Sequence, residues 1–199
     1  MPRSTYGWSA EHDAWTAFGH DNRGNLATQF GRNLGSRLLP IAAKLGKPLS
    51  DWTAADVFRA MPEADSSLPL QPNFAIPNVA GSLLCTAPEY ARFLALVTER
   101  PTRATWELTE PRRREMLTPQ VEVKAGTLSW GLGWGLERTE RDSLYWHWGD
   151  NGAFKAFTIA DPVARRGIVV FTNGSGGQKV YERIIRAAIG RDLPAFLWV

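Results

Sequence analysis

The stretch Trp146-His147-Trp148-Gly149-Asp150-Asn151-Gly152-Ala153-Phe154-Lys155-Ala156-Phe157 contains the features that decide the fold. It connects two strand-like runs, residues 144–149 and 154–160, through a short polar and glycine-containing segment. His147 lies near the end of the first run, and the glycines that follow it allow a ligand to approach backbone N–H groups. The stretch therefore predicts two strands of a sheet, with a candidate binding site near the end of the first.

Further strands are predicted on both sides of this stretch. Residues 130–136 alternate tryptophan or leucine with glycine, which predicts a strand with large side chains on one face and a closely packed glycine face. After the stretch, a turn that opens at Asp161-Pro162 predicts an antiparallel pairing of residues 154–160 with residues 167–173. The run Ile168 to Phe171 is apolar on both faces, which predicts a central strand covered on both sides.

Helices are predicted before and after these strands. Residues 86–97 combine a capping-box pattern with apolar residues at helical spacing, and residues 178–189 carry an apolar face that ends before Gly190. The sequence therefore predicts an α+β fold. Residues 1–125 form a mostly helical and irregular region, and residues 126–199 form an antiparallel sheet of three to four strands with flanking helices and a C-terminal helix.

Composition excludes several classes of function. The net charge is +3, and the densest basic cluster, Arg112 to Arg114, is typical of a solvated helix face, so we expect no nucleic-acid partner. The single cysteine cannot form an intramolecular disulfide. No apolar run approaches the ~18 residues that cross a bilayer, so we expect no membrane span. The three histidines form no recognised zinc spacing with another ligand, and we expect neither a metal nor a cofactor.

The compartment stays open at this stage. Residues 1–8 have neither a basic segment followed by an apolar core nor a small-residue cleavage site, so the chain as written has no signal peptide. A complete protein of this sequence would be cytoplasmic, whereas a longer parent protein could be extracytoplasmic.

The order of these features resembles the serine β-lactamase and penicillin-binding-protein family, in the esterase-like branch related to class C β-lactamases. In that family the third active-site motif is Lys-Thr-Gly, and many esterase-like relatives have His-x-Gly, which His147 and Gly149 match. The resemblance is continuous from about Val79 to Gly190, which implies the C-terminal part of the β-lactamase and transpeptidase fold. Residues 1–199 would then form a single incomplete domain.

The resemblance also implies roles for individual residues. The backbone N–H of Asp150 would form half of the oxyanion hole, and His147 would position substrate or the proton relay. Together with Trp148 and Gly149, His147 would form one wall of the active-site cleft. Lactamases have a hydroxyl side chain at the position of Trp148, so the substitution favours esterase or peptidase chemistry on bulkier, apolar substrates.

The other two motifs of the family do not occur in this sequence. No serine is followed three positions later by lysine, and no tyrosine is followed two positions later by asparagine. The family uses that lysine and tyrosine to move the proton of the nucleophilic serine, and an unactivated serine is a poor nucleophile. The chain therefore has no catalytic nucleophile or base of the expected kind. The pair His20-Asp21 is not a substitute, because adjacent loop residues rarely face each other.

Three hypotheses for the function remain. The chain is a C-terminal fragment of a serine hydrolase that acts on an ester, an amide or a β-lactam and is inactive alone. Alternatively, it is a subunit completed by another polypeptide, such as a complementing N-terminal segment. The third is a non-catalytic module that binds peptides or peptidoglycan. In the complete enzyme the partner would be a small-molecule or peptide substrate.

Overall fold

The computed structural model describes residues 3–26, 32–64, 77–98, 108–140 and 142–198. Contacts divide the chain into two compact units. The first unit comprises Met1–Thr86, Asp150–Lys155 and Asn173–Gly177. The second unit comprises Ala87–Gly149, Ala156–Thr172 and Gln178–Val199. Among the described residues, no helix is both long and apolar enough to cross a membrane.

The described residues of the first unit form three α-helices and a small apolar core. Helix α1 is Ala10–Trp15, α2 is Arg32–Leu45 and α3 is Ala54–Ala64. Thr53 and Asp56 form a capping box at the start of α3: the backbone N–H of Thr53 donates to Oδ2 of Asp56 at 2.7 Å, and the N–H of Asp56 donates to Oγ1 of Thr53 at 3.4 Å. The buried side chains of this core are Trp8, Leu38, Ile41, Ala42, Leu49, Trp52, Val57, Ala60 and Met61.

The second unit is built on a six-stranded sheet with helices, which confirms the predicted α+β class. Two helices, α4 (Ala87–Thr98) and α5 (Glu110–Met116), precede the sheet, and α6 (Gly177–Ile189) follows it. The strands lie in chain order and every register along β1 to β4 is antiparallel. They are β1 (Val121–Lys124), β2 (Leu128–Trp130), β3 (Gly135–Arg138), β4 (Ser143–Asn151), β5 (Phe154–Asp161) and β6 (Arg166–Thr172).

The sheet has more strands than the three to four predicted, and it begins before residue 126. The main difference lies in residues 130–136, which form the end of β2, a tight connection and the start of β3 rather than one strand. Gly133 turns the chain with φ +78°, a conformation that glycine adopts without strain, and Leu132 is 47% exposed. The alternation with glycine therefore marks a hairpin, which period-two patterning alone does not distinguish from a strand.

Close packing against a glycine, as predicted, occurs at Gly135. A Cβ atom at this position would lie 2.3 Å from the indole ring of Trp146, its cross-strand partner on β4. The absence of a side chain at Gly135 is therefore what allows Trp146 to lie against the sheet, where it is 1% exposed.

Strand β6 lies at the end of the strand order and is not central in the described sheet, so that prediction is wrong. Its two faces are nevertheless covered. Ile168 and Val170 pack on the core beside α6, and Val169 packs on the core beside α4. The apolar character of a strand reports how its faces are buried and carries no information about whether both of its edges are paired.

Helix α6 covers the sheet as predicted, and part of its apolar segment is buried there. Tyr181 and Ile185 are buried against the strands, whereas Val180 and Ile184 of the same segment are 50% and 45% exposed. The core beside α6 contains Leu128, Leu144, Trp146, Phe157, Ile159, Tyr181, Ile185, Leu193, Ala195 and Phe196.

Candidate functional site

His147 occupies the first position of β4 beyond its ladder with β3. The last pair of that ladder joins Gly135 to Trp146, and His147 is the next residue along β4. Side chains alternate along a strand, so Trp146 enters the core beside α6 while His147 lies on the opposite face. Because β3 begins at Gly135, the space beside the imidazole is open to side chains at either end of the β2–β3 connection.

Two tryptophans occupy this space beside His147. The Trp130 ring centroid lies 5.9 Å from the imidazole centroid with an interplanar angle of 55°, and the Trp134 centroid lies 6.2 Å away at 82°. Burial lowers the pKa of His147 below its ordinary value of 6.5, and a hydrogen bond with the backbone of Trp148 opposes this in part. The environment thus favours the neutral imidazole, which can both donate and accept a hydrogen bond.

Trp134 is the inner member of a longer aromatic series. Its ring stacks on Phe93 of α4 with centroids 6.2 Å apart and an interplanar angle of 24°. Phe93 contacts Tyr90 edge-on at 5.5 Å, and Tyr90 contacts Phe171 of β6 at 5.5 Å. Because Trp134 is only 3% exposed, this packing holds its indole in place.

Trp148 and Gly149 lie at the more exposed end of β4. Trp148 is 36% exposed, in contrast to the buried Trp146 two positions earlier. A Cβ atom on Gly149 would meet the Cβ of Ala156 at 3.7 Å, an ordinary contact. Steric crowding at that contact therefore does not explain why residue 149 is a glycine.

Side-chain hydrogen bonds fix the hairpin tip that carries Asp150. Oδ1 of Asp150 accepts a hydrogen bond of 2.9 Å from the backbone N–H of Gly152. The same oxygen forms an ion pair with Nζ of Lys155. Nδ2 of Asn151 donates to the carbonyl oxygen of Gly81 at 3.0 Å. These contacts, all within the first unit, restrain the backbone at Asp150, as a preorganised N–H donor would require.

The remaining candidates do not form a reactive cluster. Nδ1 of His20 lies 3.3 Å from the carbonyl oxygen of Asn173, whereas the carboxylate of Asp21 accepts hydrogen bonds from Arg23 and Asn25. The two side chains therefore have separate partners, as expected for a structural pair. Within the described ranges, no three His, Cys, Asp or Glu side chains are grouped closely enough to hold a metal ion.

Sequence reasoning missed the contacts that His147 makes with tryptophan. The sequence predicts Trp130 and Trp134 only as large side chains on one face of a strand. In the structure Trp134 is buried, and both indoles contact the imidazole. The signal that could have found this is the hairpin at Gly131 to Gly133, because a turn there brings both tryptophans to the same end of the sheet.

Comparisons with known proteins agree with this architecture. The family model described as Beta-lactamase matches residues 2–191. The structure of the octameric penicillin-binding protein homologue from Pyrococcus abyssi is similar in fold, with a TM-score of 0.59 and 18% sequence identity. The match covers 99% of this chain and 37% of that chain. A search of curated proteins finds no match. The family match extends over nearly the whole sequence and confirms the resemblance: the chain belongs to the β-lactamase family.

Proposed function

We propose that this chain supplies the third-motif wall of the active site of a serine hydrolase, as part of a single β-lactamase-related domain. His147 stands at the first position of the motif and positions substrate or the proton relay. The backbone N–H of Asp150 donates to the oxyanion. The observation that carries the proposal is the half-buried imidazole of His147 in the middle of β4, beside Trp130 and Trp134 and followed by the exposed Trp148 and by Gly149.

The reaction proposed for the complete enzyme is acyl transfer to water. A serine Oγ attacks the carbonyl carbon while its proton passes to a base, and the negative charge on the carbonyl oxygen is stabilised by two N–H donors. The serine, the base and the second donor belong to the Ser-x-x-Lys and Tyr-x-Asn motifs, which this sequence does not contain. We therefore infer that the chain does not hydrolyse substrate alone.

The side chain at position 148 favours esters or amides with apolar groups over β-lactams. A partly exposed indole offers apolar contact area, and it lacks the hydroxyl that would bind the carboxylate of a β-lactam. The expected preference is for aryl or long-chain acyl substrates.

The first test measures turnover by the purified chain. Nitrophenyl acetate, nitrophenyl butyrate and a chromogenic cephalosporin should all be hydrolysed at the rate of the buffer blank. Turnover that copurifies with the folded chain and disappears in His147→Ala would contradict inactivity in isolation and would require a different nucleophile.

The second test addresses completion by another polypeptide. The place of β6 at the end of the strand order, among the residues that the structure describes, favours this, because an edge strand can pair with another chain. Co-expression with a segment carrying Ser-x-x-Lys and Tyr-x-Asn should yield an esterase. His147→Ala should reduce its kcat/KM by about 100-fold, the scale of general acid–base catalysis, and His12→Ala serves as the matched control.

Saturable peptide binding without hydrolysis, lost in His147→Ala, would instead favour a binding module.

A further inference from the structure

Two indole rings contact His147 from a part of the chain outside the third motif. Trp130 ends β2, and Trp134 directly precedes β3. The backbone N–H of Gly131 donates to the carbonyl oxygen of Trp134 at 2.7 Å, which closes the connection and fixes the two tryptophans relative to each other. The backbone of the connection itself therefore holds the pair.

We propose that Trp130 and Trp134 are positioning residues for His147, which set the plane of its imidazole and keep water from part of the ring. The inference rests on the proposed role of His147 in the active site. Both centroid distances lie within the range of favourable aromatic pairs, and the near-perpendicular Trp134 ring restricts rotation of the imidazole about its Cβ–Cγ bond.

Further ring contacts of the two tryptophans explain why they can act in this way. Trp134 also stacks on Phe93, and Trp130 also contacts the buried Trp146 edge-on at 5.2 Å. These contacts restrict the movement of both indoles when the imidazole rotates. The orientation of His147 is thus coupled to the core of the second unit.

Charged groups do not account for the neutral state of the imidazole. Burial and the Trp148 backbone are the contributions to the pKa of His147. On β4, Tyr145 shares the face of His147. On β3, the carboxylate of Glu137 is bound by Arg191 on the opposite face, and β2 has no titratable side chain. The amine of Lys155 on β5 is paired with Asp150. The tryptophans are therefore the groups whose removal should change hydration of the imidazole.

The test follows the His147 ring of the purified chain by NMR as pH is varied. In Trp130→Leu and Trp134→Leu the titration midpoint should rise toward 6.5, and the ring-current displacement of the imidazole protons should decrease. Trp130→Phe and Trp134→Phe should keep most of both effects. Trp15→Leu, which removes a 67% exposed tryptophan of the first unit, should leave both unchanged.

The outcomes separate this inference from the proposed function. A folded Trp130→Leu variant whose His147 titration and proton shifts equal those of the parent chain would overturn the positioning role of the tryptophans. Trp130 is half-buried, so Trp130→Leu tests this role even if Trp134→Leu does not fold. In the complemented enzyme, Trp130→Leu should lower kcat by about 10- to 100-fold with little change in KM, the cost of a misplaced catalytic group. Full activity of His147→Ala would instead refute the proposed function while leaving the NMR result intact.

Discussion

Arg191 donates a hydrogen bond of 2.9 Å from Nη1 to Oε1 of Glu137, a β3 carboxylate with no exposed surface. The other carboxylate oxygen accepts from the backbone N–H of Ala195 at 3.1 Å. Nη2 of Arg191 also binds Asp142 at 3.1 Å. One buried carboxylate thus ties the segment after α6 to the sheet.

Arg191→Ala should destabilise the chain by about 3–5 kcal/mol, because it leaves the buried carboxylate of Glu137 without its charged partner. Urea denaturation measures the change. Adding Glu137→Gln to this variant should recover part of the loss, since a neutral amide costs less to bury than a carboxylate. Arg112→Ala removes an arginine that is 72% exposed and should cost no more than about 1 kcal/mol. Equal effects at positions 112 and 191 would show that the buried pair is not formed in solution.

Gly135→Ala should destabilise the second unit by about 1–3 kcal/mol or more, because the added methyl group would overlap the Trp146 ring. Thermal denaturation and the near-UV circular dichroism of the tryptophans report the change. Gly174→Ala is the matched control, since an added Cβ there has no neighbour within 4 Å. A melting temperature unchanged by Gly135→Ala would mean that Trp146 does not pack on β3.

The pH dependence of stability should contain a contribution from His147. Its pKa is lower in the folded chain than the ordinary value of 6.5, so between these two values the unfolded chain binds a proton that the folded chain does not. Stability is therefore fully present above about pH 6.5 and decreases as pH falls through the window below it. The free energy of unfolding, measured by urea at several pH values, should decrease less steeply in His147→Gln. Parallel curves for the two proteins would contradict the lowered pKa.

Self-association through β6 is expected, because this apolar strand ends the strand order in the described part of the chain and an edge strand can pair with another chain. The opposite edge, β1, is interrupted by a register shift between Glu122 and Lys124 and carries their charges. Sedimentation velocity should show concentration-dependent association. Thr172→Lys on β6 should reduce it, and Val121→Lys on β1 should not. A parent chain that stays monomeric at every concentration would refute this prediction.

Local patterns in the sequence predicted the helices and strands where one chemical feature decided the structure. A capping-box pattern and a helical apolar stripe predict a helix over residues 86–97, and α4 covers Ala87–Thr98. Residues 154–160, between turn signals, fall in β5. The same reasoning failed at residues 130–136, where an alternation with glycine suits a strand and a hairpin equally. The prediction that β6 is a central strand was also wrong, because apolar residues on both faces of a strand do not show whether both of its edges are paired.

The sequence by itself determined the family and the α+β class, because these follow from the order and spacing of residues along the chain. Only the tertiary structure decided what surrounds the imidazole. The β3–β4 register ends one residue before His147, and the turn after Trp130 brings two indoles beside it. Register and turn geometry depend on contacts between residues distant in sequence, such as Trp146 over Gly135, and a local pattern does not encode such contacts.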